Sequence, residues 1–317
     1  MNNRKANRKM QERQANVFCL VMTSVFIVHW VLFWVVGNIN SIRMAFTHYN
    51  PVSDKHVFYS SFSELFTNFA DFVKDVFSMN TGKSILNGFY FQALTSFICM
   101  PMGYFVAFII YKKMKGSECF KVILYLPAVL SSLLVGLLFK HLVESGISAT
   151  IRDNYNATFP YLFSHAKYNR WILTIYTLYL GFPTGLLINL GTMSRIPNDL
   201  VEYGELEGLS YFQEFCKLTL PLVYPVLEVQ CMGMFVNMFL NQGPLFLFYG
   251  YDGPENLRTF GYKLFVEVMR GDNGGALKGE YFYGYNSAAN LLIGLVSVPI
   301  VQGTKMLFDK FDPGAEF

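Results

Sequence analysis

Six stretches of more than twenty mostly apolar residues recur along this chain, at 17–39, 84–110, 120–142, 170–192, 219–248 and 285–307. A bilayer core about 30 Å thick needs roughly 20 such residues per helical crossing. The pattern predicts an all-α membrane protein with six transmembrane helices. Composition agrees, since 53% of the 317 residues are hydrophobic and 15% charged, against roughly a quarter charged in a soluble domain. Five scattered cysteines exclude a disulfide scaffold, and 25 glycines are too few for a collagen-like chain. A formal net charge of +3 points to no nucleic-acid partner.

Where the charge sits decides orientation. Arg4, Lys5, Arg8, Lys9 and Arg13 precede the first span, and Lys112, Lys113, Lys115 and Lys121 lie between the second and third. Short loops rich in Lys and Arg stay inside, so both segments are expected in the cytoplasm. Six crossings return the tail, residues 311–317, to the same side as the basic segment 1–16. The chain thus reads as a multi-pass plasma-membrane protein with both termini cytoplasmic. The first span reads as an uncleaved helix, because Trp30, Trp34 and Val36 lead to Asn38 and Arg43 with no small-residue cleavage site.

Three external loops are expected, at 40–83, 143–169 and 249–284. In the first, residues 57–79 carry Glu64, Asp71, Lys74 and Asp75 among Phe and Val, a pattern for an amphipathic helix at the membrane surface. The third combines Gly250, Tyr251, Gly253, Gly261, Gly271 and Tyr283 with an amphipathic piece, TFGYKLFVEVM. Asn156-Ala157-Thr158 is a formal glycosylation acceptor and is read as chance.

Between spans four and five, residues 195–225 break the positive-inside habit with Asp199, Glu202, Glu205, Glu207 and Glu214. Pro197 marks a helix start with Asn198 or Asp199 as cap, Leu200, Tyr203 and Leu206 form one stripe, and Gly208 is a stop. A second helix follows from Ser210, with Phe212, Phe215 and Cys216 apolar and Pro221 opening the fifth span. Such an elbow either presents a knob to a soluble partner with a basic groove or merely connects two spans.

Ile196-Pro197, Glu202-Tyr203-Gly204, Glu207-Gly208, Leu220-Pro221 and Pro225 together resemble the EAA signature of permease subunits of binding-protein-dependent ABC importers. The segments FKVILYLPAVLSSLLVGLLFKHLV, GFPTGLLINLGTMSRIP and YGYNSAANLLIGL are similar to the carbohydrate branch with its maltose-type and oligosaccharide permeases. The resemblance covers residues 80–310 and implies a core permease domain at 84–310, with coupling helices at 197–216.

It further implies partners: a second permease, two cytoplasmic ATPase subunits that bind ATP and Mg, an extracytoplasmic solute-binding protein, and membrane lipid. Glu202, Tyr203, Gly204, Glu207, Gly208 and Phe212 would couple to the ATPase, Glu202 as the motif glutamate and Gly208 as the glycine of the sharp turn. Tyr203 and Gly204 replace the two alanines of the motif, Glu207 its usual Asp.

No catalytic residue or bound cofactor is expected in this chain itself. Gly82-Lys83-Ser84 lacks the first glycine of a phosphate loop, Phe77 standing there, and no His, Cys, Asp or Glu cluster has metal spacing. The lone His29 reads as a packing residue. Polar groups inside spans should face the bundle interior, the pathway or another helix. Gly233, Asn237 and Asn241 repeat at i, i+4 with Gln242 beside them. Asn237 would lie roughly 27 Å along span five. Asn237, Asn241 and Gln242, with Asn290 and Asn189, are substrate-pathway candidates near Phe235, Phe239 and Phe246. Hydrogen bonding between helices at a dimer interface is the other reading. Glu228 carries the alternative of a proton- or ion-coupled secondary transporter, set against pairing with a partner or lining a vestibule. Pro101, Pro127, Pro183, Pro221, Pro225 and Pro299 fall inside spans two to six, where they bend helices.

Overall fold

The computed structural model describes residues 2–50, 52–53, 55–62, 64–154, 160–183, 185–270, 280–312 and 314. The acceptor at Asn156-Ala157-Thr158, with Gly271, lies outside them. The chain divides into two compact units, one of residues 1–73 and 276–292, the other of 74–275 and 293–317.

In the first unit, helix α1 (Arg13–Ala45) has a hydropathic window of which none is buried within the chain. A π-turn at Val31–Val35 interrupts it. His29 rests on Phe33 within this exposed stretch, ring centroids 4.6 Å apart. Ahead of the amphipathic helix expected at 57–79, the region 40–83 forms an antiparallel hairpin, β1 (Thr47–Asn50) and β2 (Lys55–Phe58), in the register Thr47↔Phe58 to Asn50↔Lys55. Asn50 Oδ1 accepts the Val52 N–H at 2.9 Å, an Asx turn that reverses the chain. Helix α2 (Thr67–Val76) follows. It does not lay its whole apolar face on a membrane, because Phe72 is buried against Tyr285 and Phe69 packs on Phe46. Asn68 fastens the unit by donating to Ala45 O and Thr47 O at 2.9 and 3.0 Å. Gly284 is required there, since a Cβ would stand 2.5 Å from Thr47 O.

The second unit holds the remaining helices. These are α3 (Thr81–Tyr111), α4 (Ser117–Val129), α5 (Ser132–Asn154), α6 (Asn169–Gly181), α7 (Leu186–Met193), α8 (Asn198–Leu206), α9 (Tyr211–Leu222), α10 (Tyr224–Asn237), α11 (Leu245–Tyr249) and α12 (Phe260–Arg270). The last helix, α13 (Tyr283–Phe311), begins in the first unit and ends in the second. Among the described residues, five helical stretches are long and apolar enough to cross a membrane: α1, α3, α5, α6 with α7, and α13. A sixth arises if α9 and α10, bent by 74°, count as one.

Two expected spans are corrected. The third, placed at 120–142, breaks at Leu130, whose extended ψ of 150° ends α4, and the long apolar helix is α5. The fifth, placed at 219–248, bends at Val223 and ends at Asn237. Proline chemistry explains the bend. Pro225 has no N–H for residue 221 and its ring crowds that carbonyl, while Pro221 follows a π-turn at Phe215–Thr219. Pro101 likewise follows a π-turn at Leu94–Cys99.

Two apolar clusters form the interior of this unit. Phe91, Tyr176, Phe248 and Leu173 centre one, and Tyr104, Phe108, Leu186 and Met193 the other. Away from them, Arg170 Nη2 donates to Asn87 Oδ1 and Asn256 O at 2.9 and 2.8 Å, tying α6 to α3 and to the loop before α12. Tyr262 pins that loop, its hydroxyl accepting from Gly253 N and donating to Gly250 O at 2.8 and 2.7 Å.

Candidate functional site

The acidic segment folds as two helices about a tight turn. Pro197 itself occupies the N-cap of α8, so Asn198 and Asp199, expected as caps, stand in its first turn. After α8 the chain reverses at Gly208, whose φ of +73° is the left-handed conformation that glycine adopts without strain. Ser210 then caps α9 through a complete capping box: its hydroxyl accepts the Gln213 N–H while Gln213 Oε1 accepts the Ser210 N–H.

The two departures from the alanine motif fall on opposite sides of α8. Gly204 is buried, and a Cβ there would meet Leu209 Cδ1 and Leu218 Cδ2 at 3.5 and 3.6 Å, ordinary contact distances. Tyr203 points outward and is 61% exposed. The expected stripe is thus split: Tyr203 and Leu206 face away from the interior, Leu206 being 87% exposed, whereas Leu200 packs half-buried against the cluster around Tyr104 and Phe108. Tyr211 and Phe212 extend this outward apolar patch, whereas Phe215 is buried. Glu202 and Glu207 are exposed around it.

Lys112, at the C-cap of α3, was not among the expected site residues. Its ammonium lies 3.1 Å from Glu205 Oε1 and 3.0 Å from Glu214 Oε1. Burial disfavours its charge, but the contacts its ammonium makes with the Glu214 and Glu205 carboxylates, as donor and as opposite charge, outweigh this and hold its pKa above the usual lysine range. Only 3% of the Glu214 side chain is exposed.

The polar residues of the expected fifth span are not collected on one helical face. Asn237 ends α10, exposed, its amide donating to Gly233 O at 2.9 Å. Asn241 lies beyond the helix, where it accepts the Gly243 N–H at 2.7 Å and donates to Gln92 Oε1 at 2.8 Å. Gln242 is exposed. Asn189 is buried on α7 and accepts from Gln230 Nε2 at 2.7 Å, a link between helices. Asn290 is exposed and belongs to the first unit. Of the three aromatics, Phe239 packs on Phe89 and Phe246 on Phe265. Asn241 lines a groove of about 600 Å³ with Thr95, Ser132, Tyr176, Thr177 and Phe246. Gln92 and Gln230, which complete these amide pairs, were missed, although the rule on polar groups within spans selects them equally. Glu228 is half-buried on α10. Gly82-Lys83-Ser84 is helical, in the first turn of α3, with no loop to cradle a phosphate.

Residues 99–265, more than half of the chain, match the family described as binding-protein-dependent transport system inner membrane component. The chain belongs to this family. Family members of this kind are membrane components of transporters, so the chain is a permease component and not an enzyme. The matched region contains the α8–α9 turn, Lys112, Asn189, Asn237 and Asn241, and leaves out Asn290. Among its relatives, the maltose/maltodextrin transport system permease protein MalF of Shigella flexneri is 26% identical over 230 residues, covering 69% of this chain and 44% of the relative. The MalF protein of Escherichia coli K12 matches to the same extent, and that of Vibrio vulnificus is 28% identical over 155 residues, 48% of this chain and 29% of the relative. The chain thus spans less than half the length of these curated relatives. Its fold is similar to that of a chain of a bacterial ABC transporter involved in the import of the acidic polysaccharide alginate. That match has a TM-score of 0.69 at 17% identity, over 96% of this chain and 99% of the other.

Proposed function

We propose that this permease component is the membrane-spanning subunit of an ATP-driven importer that takes a sugar or oligosaccharide from an extracytoplasmic solute-binding protein. It passes the cargo inward by alternating access, beside a second permease and two cytoplasmic ATPase subunits that hold ATP and Mg. The observation that carries this is the outward patch on the α8–α9 turn: Tyr203, Leu206, Tyr211 and Phe212 are each at least 60% exposed, at the motif that resembles the EAA signature. An exposed apolar patch rimmed by charge marks a protein contact, and Glu202 and Glu207 complement a basic groove. This reading puts the turn, and both termini, in the cytoplasm.

Sugar cargo is supported by the MalF relatives and by the groove at Asn241. Among the described residues no charged side chain lines that groove, which suits a neutral, hydroxyl-rich molecule held by amides and aromatic faces. Asn237, Asn241 and Gln242 are the pathway residues in this proposal. Asn189 serves it by holding α7 to α10. Family membership leaves the secondary-transporter alternative with only Glu228.

The test is purification of the tagged chain from its own membranes. An ATPase should accompany the wild type, and Glu202→Lys with Leu206→Asp should lower its recovery at least tenfold at unchanged chain level. Absence of an ATPase from the wild-type preparation would remove the proposal.

A further inference from the structure

Of the two helices of the turn, α9 is packed on α3, with Phe215 against Phe105 and Phe108 at 5.7 and 5.2 Å between ring centroids, and α8 is held more loosely. In α8 only Gly204 is fully buried; Leu200 and Val201 pack half-buried against the cluster around Tyr104 and Phe108, and Tyr203 and Leu206 face outward. To this packing Lys112 adds a point where three elements meet on one ammonium: the end of α3, the last turn of α8 through Glu205, and α9 through Glu214. We propose that Lys112 is a positioning residue that makes the α8–α9 elbow and α3 move as one body. A pull on the elbow then reaches α3 and is not dissipated in the connecting turn. The inference rests on the elbow being the docking element, as proposed above.

Charge arithmetic makes the role of Lys112 sharper than that of an ordinary ion pair. Its contacts at 3.1 and 3.0 Å place the two carboxylate oxygens no more than about 6 Å apart. Removing the lysine therefore does two things at once. It deletes the only cation described between them, and it leaves two like charges facing each other, one of them buried, which drives α8 away from α9. With Lys112 10% and Glu214 3% exposed, the contact between these two is shielded from salt, while the Glu205 contact, 64% exposed on the acid side, is open to screening.

The experiment measures the distance between nitroxides on Leu206→Cys, in the elbow, and Lys115→Cys, just beyond α3, in the full chain reconstituted in lipid with its native cysteines replaced by serine. Both label sites are exposed. A narrow distribution is expected with Lys112 present, one at least twofold broader with Lys112→Met, and a return to the narrow width with Lys112→Arg. Equal widths for Lys112 and Lys112→Met would overturn the proposal, as would failure of Lys112→Arg to restore the narrow one. Should Lys112→Met not reach the membrane, Glu205→Gln provides the comparison. Its side chain is 64% exposed, and its loss should broaden the distribution, an unchanged width again being contrary. Loss of the ATPase from wild-type preparations would remove the docking reading and leave this distance result standing, so the two failures are distinguishable.

Discussion

Gly204 and Gly208 stand four residues apart and answer differently to the same added methyl. Gly204 has helical geometry and neighbours at 3.5 and 3.6 Å from a Cβ, so Gly204→Ala should be neutral or stabilise by up to about 1 kcal/mol, the helix-propensity gain of alanine over glycine. Gly208 has open space around it but a φ of +73°, so Gly208→Ala should cost about 1–2 kcal/mol from backbone strain alone. Thermal unfolding of the purified chain, with limited proteolysis at the turn, separates the two. Loss of protection in the Gly204 variant would mean that the interior of the turn is tighter than its contacts indicate. The turn itself was readable in the sequence, because Pro197, Gly208, and Ser210 with Gln213 are punctuation with a local mechanism. Lys112 was not readable in its role. It stands 93 residues from Glu205, and within a basic loop nothing marks the one lysine that turns inward.

At the scale of elements, hydropathy located apolar runs well and their breaks poorly. The run at 219–248 is continuous in hydropathy, yet it holds a 74° bend, a helix end at Asn237 and a turn that starts α11 after Pro244. The signal for the last break was present in Gly243-Pro244, a turn dipeptide inside the run. The i, i+4 face of Asn237 and Asn241 failed for this reason, since the helix that would align them had ended. The third span was misplaced in the same way, with Pro127 and two serines at 131 and 132 marking the break between α4 and α5. If Pro225 causes the bend, Pro225→Ala restores the N–H that residue 221 lacks, and the angle between α9 and α10 should fall. Spin-label distances across Val223 would read this as a lengthening. An unchanged distance would assign the bend to packing around the buried Val223.

For the whole molecule, the two units differ in what holds them. The second is built around buried aromatics, whereas α1 in the first presents its apolar window entirely outward. Its hydrophobicity therefore serves the membrane or a partner chain and not the fold of this one. Replacing residues 17–36 by an unrelated apolar helix of equal length should change the stability of the hairpin and α2 in the same unit by less than about 0.5 kcal/mol, as for substitutions away from packed sites. Protease protection of residues 45–73 in the extracted protein provides the measurement, and a marked loss would show that α1 supports them. Composition alone gave the membrane class, and the minority of charged residues gave the acidic turn. The hairpin at Thr47–Phe58 was not legible, because its pairing is secured by Asn68 and by the close approach at Gly284, contacts remote in sequence.

The amide pair of Asn189 and Gln230 carries a consequence for how the protein is made. Asn189 is synthesised 41 residues before Gln230, so α7 leaves the ribosome with a polar group whose partner does not yet exist. In hydrocarbon that group is costly until it is paired. The two helices are therefore tied in time as well as in space: the amide of Asn189 gains the partner it has in the folded chain only once α10 has been translated.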